Sequence, residues 1–234
     1  MILEASKINT YYGKSHILFD VSLCVSKKEA VCILGRNGAG KTTTLRTIMG
    51  LTACRSGKVK YDGRDIEGLP AYAIAKMGLG FVPQDRMIFP DLTVEENLKV
   101  AQKPPIFNTE GWTVEKVYKL FPSLGSRAKN QGGYLSGGEQ QMLAVGRTLM
   151  GNPNFLLLDE VTEGLAPLVV EMLEEKISEL KTTGITILFA EQNFDMALRL
   201  SERVYVLDKG RIRFEGTGKE LEANEQVKND HLLV

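Results

Sequence analysis

The residues able to do chemistry in this 234-residue chain fall in three short runs. Gly35-Arg36-Asn37-Gly38-Ala39-Gly40-Lys41-Thr42 has the spacing G-x-x-x-x-G-K-[ST]. Glycines let such a loop wrap a pyrophosphate with its N–H groups pointing inward, and a following helix adds a favourable dipole at its N-terminus. Lys41 would then reach the β- and γ-phosphates. The Thr42 hydroxyl would ligate Mg²⁺, which takes few protein ligands and fills its octahedron with phosphate oxygens and water. In the second run, Phe155-Leu156-Leu157-Leu158 is followed by Asp159-Glu160, the form of a strand whose tip meets a metal and an attacking water. Adjacent strand residues point to opposite sides, so the two acids are expected to differ in task. Asp159 is assigned to Mg²⁺ through water, and Glu160 to polarising the nucleophilic water. The third run, Leu135-Ser136-Gly137-Gly138-Glu139-Gln140-Gln141, opens a helix expected to reach about residue 150. Bare N–H donors and a seryl hydroxyl at a helix start make a second anion site. A chain with one phosphate loop has no need of a second γ-phosphate site in cis. The pairing makes sense if two such chains meet head to tail, each presenting its Ser136, Gly137 and Gly138 to the nucleotide of the other.

These runs need rigid elements behind them. Ala30-Val31-Cys32-Ile33-Leu34 is an unbroken apolar pentad, read as a buried strand before the phosphate loop, with a helix over 42–49 after it and Gly50 as its C-terminal cap. Earlier alternating segments are read as strands, and so is 58–63 with its turn. Pro70 is expected to open a short helix. From about 85 to 150 the pattern is mainly helical, with Thr93-Val94-Glu95-Glu96 as a capping box and Val114, Val117, Leu120 and Phe121 on a helix face. Pro104-Pro105 and Pro122 are expected to mark loops. Strand and helix then alternate again. A helix over 167–181 places Val169, Met172, Leu173, Ile177 and Leu180 on one face, Ile185-Thr186-Ile187-Leu188-Phe189 is a buried strand, and Val204 to Phe214 forms a hairpin around Asp208-Lys209-Gly210. Unbroken apolar strands between helices point to a parallel sheet covered on both faces.

Composition narrows the class. Lys plus Arg and Asp plus Glu each number 29, 43% of residues are hydrophobic and 25% charged, which is ordinary globular composition. The balanced charge and the lack of a long basic run argue against nucleic acid as a partner. No apolar stretch approaches the ~20 residues of a membrane span. The first residues lack a signal-peptide pattern, so the chain is expected in the cytosol. Cys24, Cys32 and Cys54 lack metal-ligand spacing and are read as reduced, and with only His16 and His231, near opposite ends, a histidine metal site or triad is not expected.

Taken in order, the phosphate loop, Leu135-Ser136-Gly137-Gly138-Glu139 and the strand ending in Asp159-Glu160 resemble the nucleotide-binding subunit of an ABC transporter across nearly the whole length. The resemblance implies an α/β fold: a P-loop NTPase core with a mainly parallel sheet flanked by helices, an N-terminal antiparallel β part and a helical subdomain insertion. It implies a single ATP-binding domain, with 1–84 and 151–234 as the core and about 85–150 as the helical subdomain. ATP and Mg²⁺ are the implied cofactors. ATP contacts fall on Gly35, Arg36, Asn37, Gly38, Ala39, Gly40, Lys41, Thr42 and Thr43, and contacts from the opposing subunit on Ser136, Gly137, Gly138 and Glu139. Tyr12, in Tyr11-Tyr12-Gly13, resembles the aromatic that stacks on adenine. Gln84, after Phe81-Val82-Pro83, matches the glutamine that touches Mg²⁺ and the attacking water and joins the core to the helical part, so that the implied Mg²⁺ residues are Thr42, Gln84 and Asp159. Gln192 stands where the family usually has a switch histidine, and with Glu160 completes the catalytic pair. A glutamine side chain is neutral at every physiological pH, so it can hydrogen-bond a γ-phosphate but not take up a proton, and any general-base contribution falls on Glu160.

The phosphate loop with its following Thr43, Ile88-Phe89-Pro90, Gly164-Leu165-Ala166-Pro167 and Ala190-Glu191-Gln192-Asn193 are together similar to the LivF-type ATPases of branched-chain amino acid importers. Gln192, and Ala166 where an Asp is usual, depart from the broad pattern but are shared by that group. Val161 stands where the group has proline, and Thr162-Glu163 is reminiscent of urea-import ATPases. Urea, short amides or another small solute therefore stand as alternatives to hydrophobic amino acids, and lipid extraction as a more distant one. The implied partners are a second ABC ATPase subunit, LivG-like or another copy of this chain, two membrane permease subunits and, indirectly, a periplasmic solute-binding protein. The implied location is peripheral, at the cytoplasmic face of the inner or plasma membrane.

Overall fold

The computed structural model describes residues 1–105 and 110–232. Alternating burial along β1 (Leu3–Tyr12) and β2 (Ser15–Val25) pairs them as an antiparallel hairpin that turns at Gly13, φ 59°. After them, β3 (Ala30–Leu34) is buried at every residue and leads through the glycine-rich loop into α1 (Lys41–Ile48). Then β4 (Cys54–Tyr61) pairs with β1, and the two-residue β5 (Arg64–Asp65) completes a four-stranded antiparallel sheet in the order β2-β1-β4-β5. Helix α2 (Ala71–Lys76), capped at Pro70, precedes β6 (Leu79–Val82).

Among the described residues four α-helices follow, α3 (Val94–Val100), α4 (Val114–Leu120), α5 (Pro122–Ser126) and α6 (Gly137–Leu149), with a 3-10 turn at Gly132–Tyr134 before the last. The capping box expected at Thr93 is present, with the Thr93 side chain on the Glu96 N–H and the Glu96 carboxylate on the Thr93 N–H. The loop expected at Pro122 is instead the first turn of α5. Proline suits that position because its missing N–H would be unsatisfied there anyway.

The chain returns to strand with β7 (Phe155–Asp159), then α7 (Pro167–Thr182), β8 (Thr186–Glu191), α8 (Phe194–Leu200), β9 (Arg203–Asp208) and β10 (Arg211–Thr217), and ends in α9 (Gly218–Glu222) and α10 (Glu225–Val227) before a last turn. The second sheet has the order β10-β9-β3-β8-β7-β6, parallel except for the β9–β10 hairpin. Its three central strands β3, β7 and β8 are buried throughout, as a parallel sheet covered on both faces requires. Alternation along them divides the core. Cys32, Leu34, Leu156, Leu158, Ile187 and Phe189 face α6, α7 and α8, while Val31, Ile33, Phe155, Leu157 and Leu188 face α1 and the antiparallel sheet. Leu173, Ile177 and Leu180 of α7 are buried, but Met172 is 37% exposed, so the apolar face of that helix is narrower than its spacing indicates. Among the described residues Cys24, Cys32 and Cys54 are free thiols, and no helix is long and apolar enough to cross a membrane.

The β9–β10 turn braces the phosphate loop. Lys209 and Gly210 both have positive φ, 47° and 72°, as a tight hairpin turn demands. The Gly210 N–H donates to the Ala39 carbonyl at 2.8 Å, and its carbonyl accepts from the Phe19 N–H at 2.8 Å. A Cβ at this position would collide with the Ile17 carbonyl. Gly210→Ala is therefore expected to lose about 2–4 kcal/mol in denaturant titration and to weaken nucleotide binding in parallel; stability within about 0.5 kcal/mol of the parent would contradict this account.

Candidate functional site

The carboxyl ends of β3, β7 and β8 lie side by side, where open parallel sheets place ligands. Backbone bonds fix the three strand exits. The Gly35 N–H donates to the Glu191 carbonyl at 3.2 Å, and the Glu160 N–H to the Ala190 carbonyl at 3.0 Å. Gly35 presses against the Leu207 carbonyl with no room for a Cβ. Gly38 and Gly40 turn the loop at φ 79° and 110°, with Gly40 capping α1. Arg36, Asn37 and Gly38 form an exposed crest, whereas Ala39 and Thr43 are buried beneath it.

Lys41 is the first residue of α1, and its side chain is only 2% exposed. Its ammonium donates to the Gly35 carbonyl at 2.6 Å and the Arg36 carbonyl at 2.9 Å, and pairs with Glu160 Oε1 at 2.9 Å. Three donors thus meet three acceptors inside the loop. A buried cation without such partners would be strongly destabilising. Glu160 reaches Lys41 from just beyond β7 with φ 45°, in left-handed territory. The two acids do separate as expected: Asp159 accepts from the Thr42 hydroxyl at 2.9 Å, while Glu160 turns to Lys41.

Asp159 is 1% exposed, and burial pushes its carboxyl up to about 6, against the lowering effect of the Thr42 hydrogen bond and with the Glu160 charge adding to the rise. The Glu191 carboxyl is likewise raised by burial, and so is the Cys32 thiol. Oxygens of Thr42 and Asp159 at the foot of the loop are the hard donors Mg²⁺ takes. Among the described residues no group of three His, Cys, Asp or Glu could hold a metal alone, so an ion here would complete its shell with phosphate and water.

The remaining residues lie around this centre without joining it. Tyr12 is 48% exposed, and its hydroxyl meets Thr52 Oγ1 at 3.3 Å, beyond the far end of α1. Gln84 donates its amide to Glu163 in the loop after the acidic pair; among the described residues no hydrogen bond links it to Thr42 or Asp159. Gln192 is exposed beside the Glu191 carboxylate. Ser136 caps α6 in a full capping box: its hydroxyl donates to Glu139 Oε2 at 2.8 Å, and Glu139 also pairs with Arg127 at 2.7 Å. Gly138 packs on Val169 too closely for a Cβ. Among the described residues no hydrogen bond joins Ser136, Gly137, Gly138 or Glu139 to the phosphate loop. Sequence reasoning placed Glu191 and Thr162 in subfamily motifs but gave them no part in the site, where their side chains meet at 2.8 Å. The available signal was a charged residue closing an otherwise apolar strand.

Comparison with known proteins identifies the family. The ABC transporter family profile matches residues 18–163. The chain is 43% identical to the high-affinity branched-chain amino acid transport ATP-binding protein BraG of Pseudomonas aeruginosa, over 99% of both chains. It is 38% identical to the probable branched-chain amino acid transport ATP-binding protein LivF of Archaeoglobus fulgidus, over 97% of both. Lipopolysaccharide export ATP-binding protein LptB of Haemophilus influenzae is 36% identical over 99% of this chain and 97% of its own. Among solved structures, the ADP conformation of an ATP-binding cassette of an ABC transporter superposes with a TM-score of 0.82 at 28% identity, covering 97% of each chain.

Asp159 gives a pH signature. With its folded pKa raised from 3.8 to about 6, ionisation costs more in the folded than in the unfolded chain, so nucleotide-free stability falls as pH rises from about 4 to 6 and that loss persists above it. Asp159→Asn lacks this loss. Its melting temperature relative to the parent is expected to climb across that window in metal-free buffer, and a difference independent of pH would contradict the assignment.

Proposed function

The chain belongs to the ABC transporter family, and from that premise we propose that it is the ATP-hydrolysing subunit of an importer of branched-chain, hydrophobic amino acids. The observation that carries the hydrolytic reading is the buried Lys41 ammonium, held in a cradle of loop carbonyls by a carboxylate that a phosphate can replace. The solute reading is supported by the greater identity to relatives named for branched-chain amino acid transport than to those named for lipopolysaccharide export, and by Gln192.

In this reading the N–H groups of Arg36, Asn37, Gly38 and Gly40 and the α1 N-terminus receive the phosphates, with Gly35, Ala39 and Thr43 shaping the loop beside them and Tyr12 stacking on adenine. Lys41 exchanges the Glu160 carboxylate for phosphate oxygens. Glu160, released, orients the attacking water and accepts its proton, while the Gln192 amide donates a hydrogen bond to the γ-phosphate. Thr42, Asp159 and Gln84 would hold Mg²⁺, which when bound would neutralise charge on the phosphates. Gln84 would leave Glu163 to do so. Ser136, Gly137, Gly138 and Glu139 serve the nucleotide of a second ATPase subunit, a LivG-like chain or another copy.

ATP between the two subunits favours the closed pair, and loss of the γ-phosphate contacts returns it to the open one. Two permease subunits would carry the solute path, supplied by a periplasmic binding protein, with this chain at the cytoplasmic face of the membrane. The domain division that fits is a core of 1–84 and 151–234, which supplies both sheets, and a helical subdomain at about 85–150.

Glu160→Gln is expected to bind ATP with parental affinity, to hydrolyse it about 10²–10³-fold more slowly, and to accumulate as an ATP-bound dimer in size-exclusion chromatography. Rapid steady-state turnover by this variant would overturn the role given to Glu160. In the reconstituted transporter, leucine, isoleucine or valine with the binding protein should stimulate hydrolysis. Stimulation by urea and not by these amino acids would replace the solute reading while leaving the hydrolytic one.

A further inference from the structure

Glu191, the last residue of β8, is a buried carboxylate that the mechanism above leaves without a task. It is 3% exposed, and among the described residues no lysine, arginine or histidine forms an ion pair with it. Hydrogen-bond donors surround it instead. The Thr162 hydroxyl donates to Oε1 at 2.8 Å and the Gln192 N–H to Oε2 at 3.3 Å. Thr162 lies two residues beyond Glu160, in the segment that leaves β7. Gln192 and Asn193 open the segment that leaves β8. One carboxylate therefore ties together the two loops that present Glu160 and Gln192. Its backbone carbonyl meanwhile receives the Gly35 N–H, so the same residue also fixes the start of the phosphate loop.

A buried carboxylate without a cation is costly, and a hydrophobic residue would close the strand more cheaply. Glu160, by contrast, stands in left-handed backbone at φ 45°, a conformation that persists only where its surroundings hold it. The Ala190 carbonyl anchors it on one side. Thr162, half-buried, is the first side chain after it to bond across to β8. We infer that Glu191 is a positioning residue for hydrolysis, whose carboxylate, through the Thr162 hydroxyl and the Gln192 N–H, sets Glu160 and Gln192 in register with each other across the nucleotide.

The inference rests on the ATPase reading, and steady-state kinetics of the full chain with MgATP separate the two. Absence of hydrolysis by the parent would fall on that reading; the comparison among variants falls on Glu191. Thr162→Val and Glu191→Ala are each expected to lower kcat by about 10–100-fold with KM and ATP affinity within about twofold of the parent, because positioning of the reacting groups is lost while the phosphate cradle is kept. The double variant should be no slower than Glu191→Ala alone, since both changes break one link. Thr162→Ser, which keeps the hydroxyl, should restore most of kcat. Thr162→Val removes only a half-buried hydroxyl, so it reads the link even where Glu191→Ala fails to fold. Parental kcat in Thr162→Val, multiplicative losses in the double variant, or a rise in KM at constant kcat would each overturn the inference.

Discussion

A single buried positive charge organises this molecule. Lys41 sits inside the loop that its own helix follows, and its ammonium is tolerated there only because two loop carbonyls and the Glu160 carboxylate converge on it. For the carbonyls of Gly35 and Arg36 to turn inward, Gly38 and Gly40 must take backbone angles that other residues resist. For Glu160 to arrive, β7 must end at Asp159, one residue past its apolar run, with the Ala190 carbonyl of β8 as anchor for the Glu160 N–H. The order of strands follows from the same demand. With β3, β8 and β7 adjacent and parallel, three chain exits are delivered to one edge of the sheet.

The surrounding core makes that edge stiff. Alternate residues of the buried strands feed two apolar clusters on opposite faces, so a shift of any one strand would disturb both. The antiparallel sheet contributes beyond its own packing. Phe19 and Ile17 of β2 close on Gly210, and Gly210 in turn holds Ala39, so the N-terminal hairpin bears on the phosphate loop from outside.

Much of this was legible because local rules and chemistry coincide at the same residues. A glycine-lysine-threonine spacing between an apolar pentad and a helical segment has few other physical uses, and the Thr93 capping box and the Lys209-Gly210 turn are local signals that tertiary structure did not override. What escaped reading depends on neighbours distant in sequence. Pro122 reads equally as a loop or as the first turn of a helix. Met172 satisfies helical spacing yet lies outside the area α7 covers. The partner of Gln84 is Glu163, 79 positions on, and no periodicity could name it. Glu191 closes an apolar strand, and the approach of Thr162 from 29 positions away gives its carboxylate a partner that no local pattern could name.

At the start of α6, the hydroxyl and N–H of Ser136 both donate to one oxygen of the Glu139 carboxylate. Ser136 is thus occupied by a carboxylate tethered beside it, present at an effective concentration that dissolved salt does not approach. An arriving anion competes with an internal one instead of filling a vacancy. At the Ser136 hydroxyl a dissolved anion must displace that carboxylate, and a ligand anchored elsewhere by its other parts is better placed to do so. Discrimination at this end of α6 is in that sense kinship with a crowded bench: admission depends on holding a second place already.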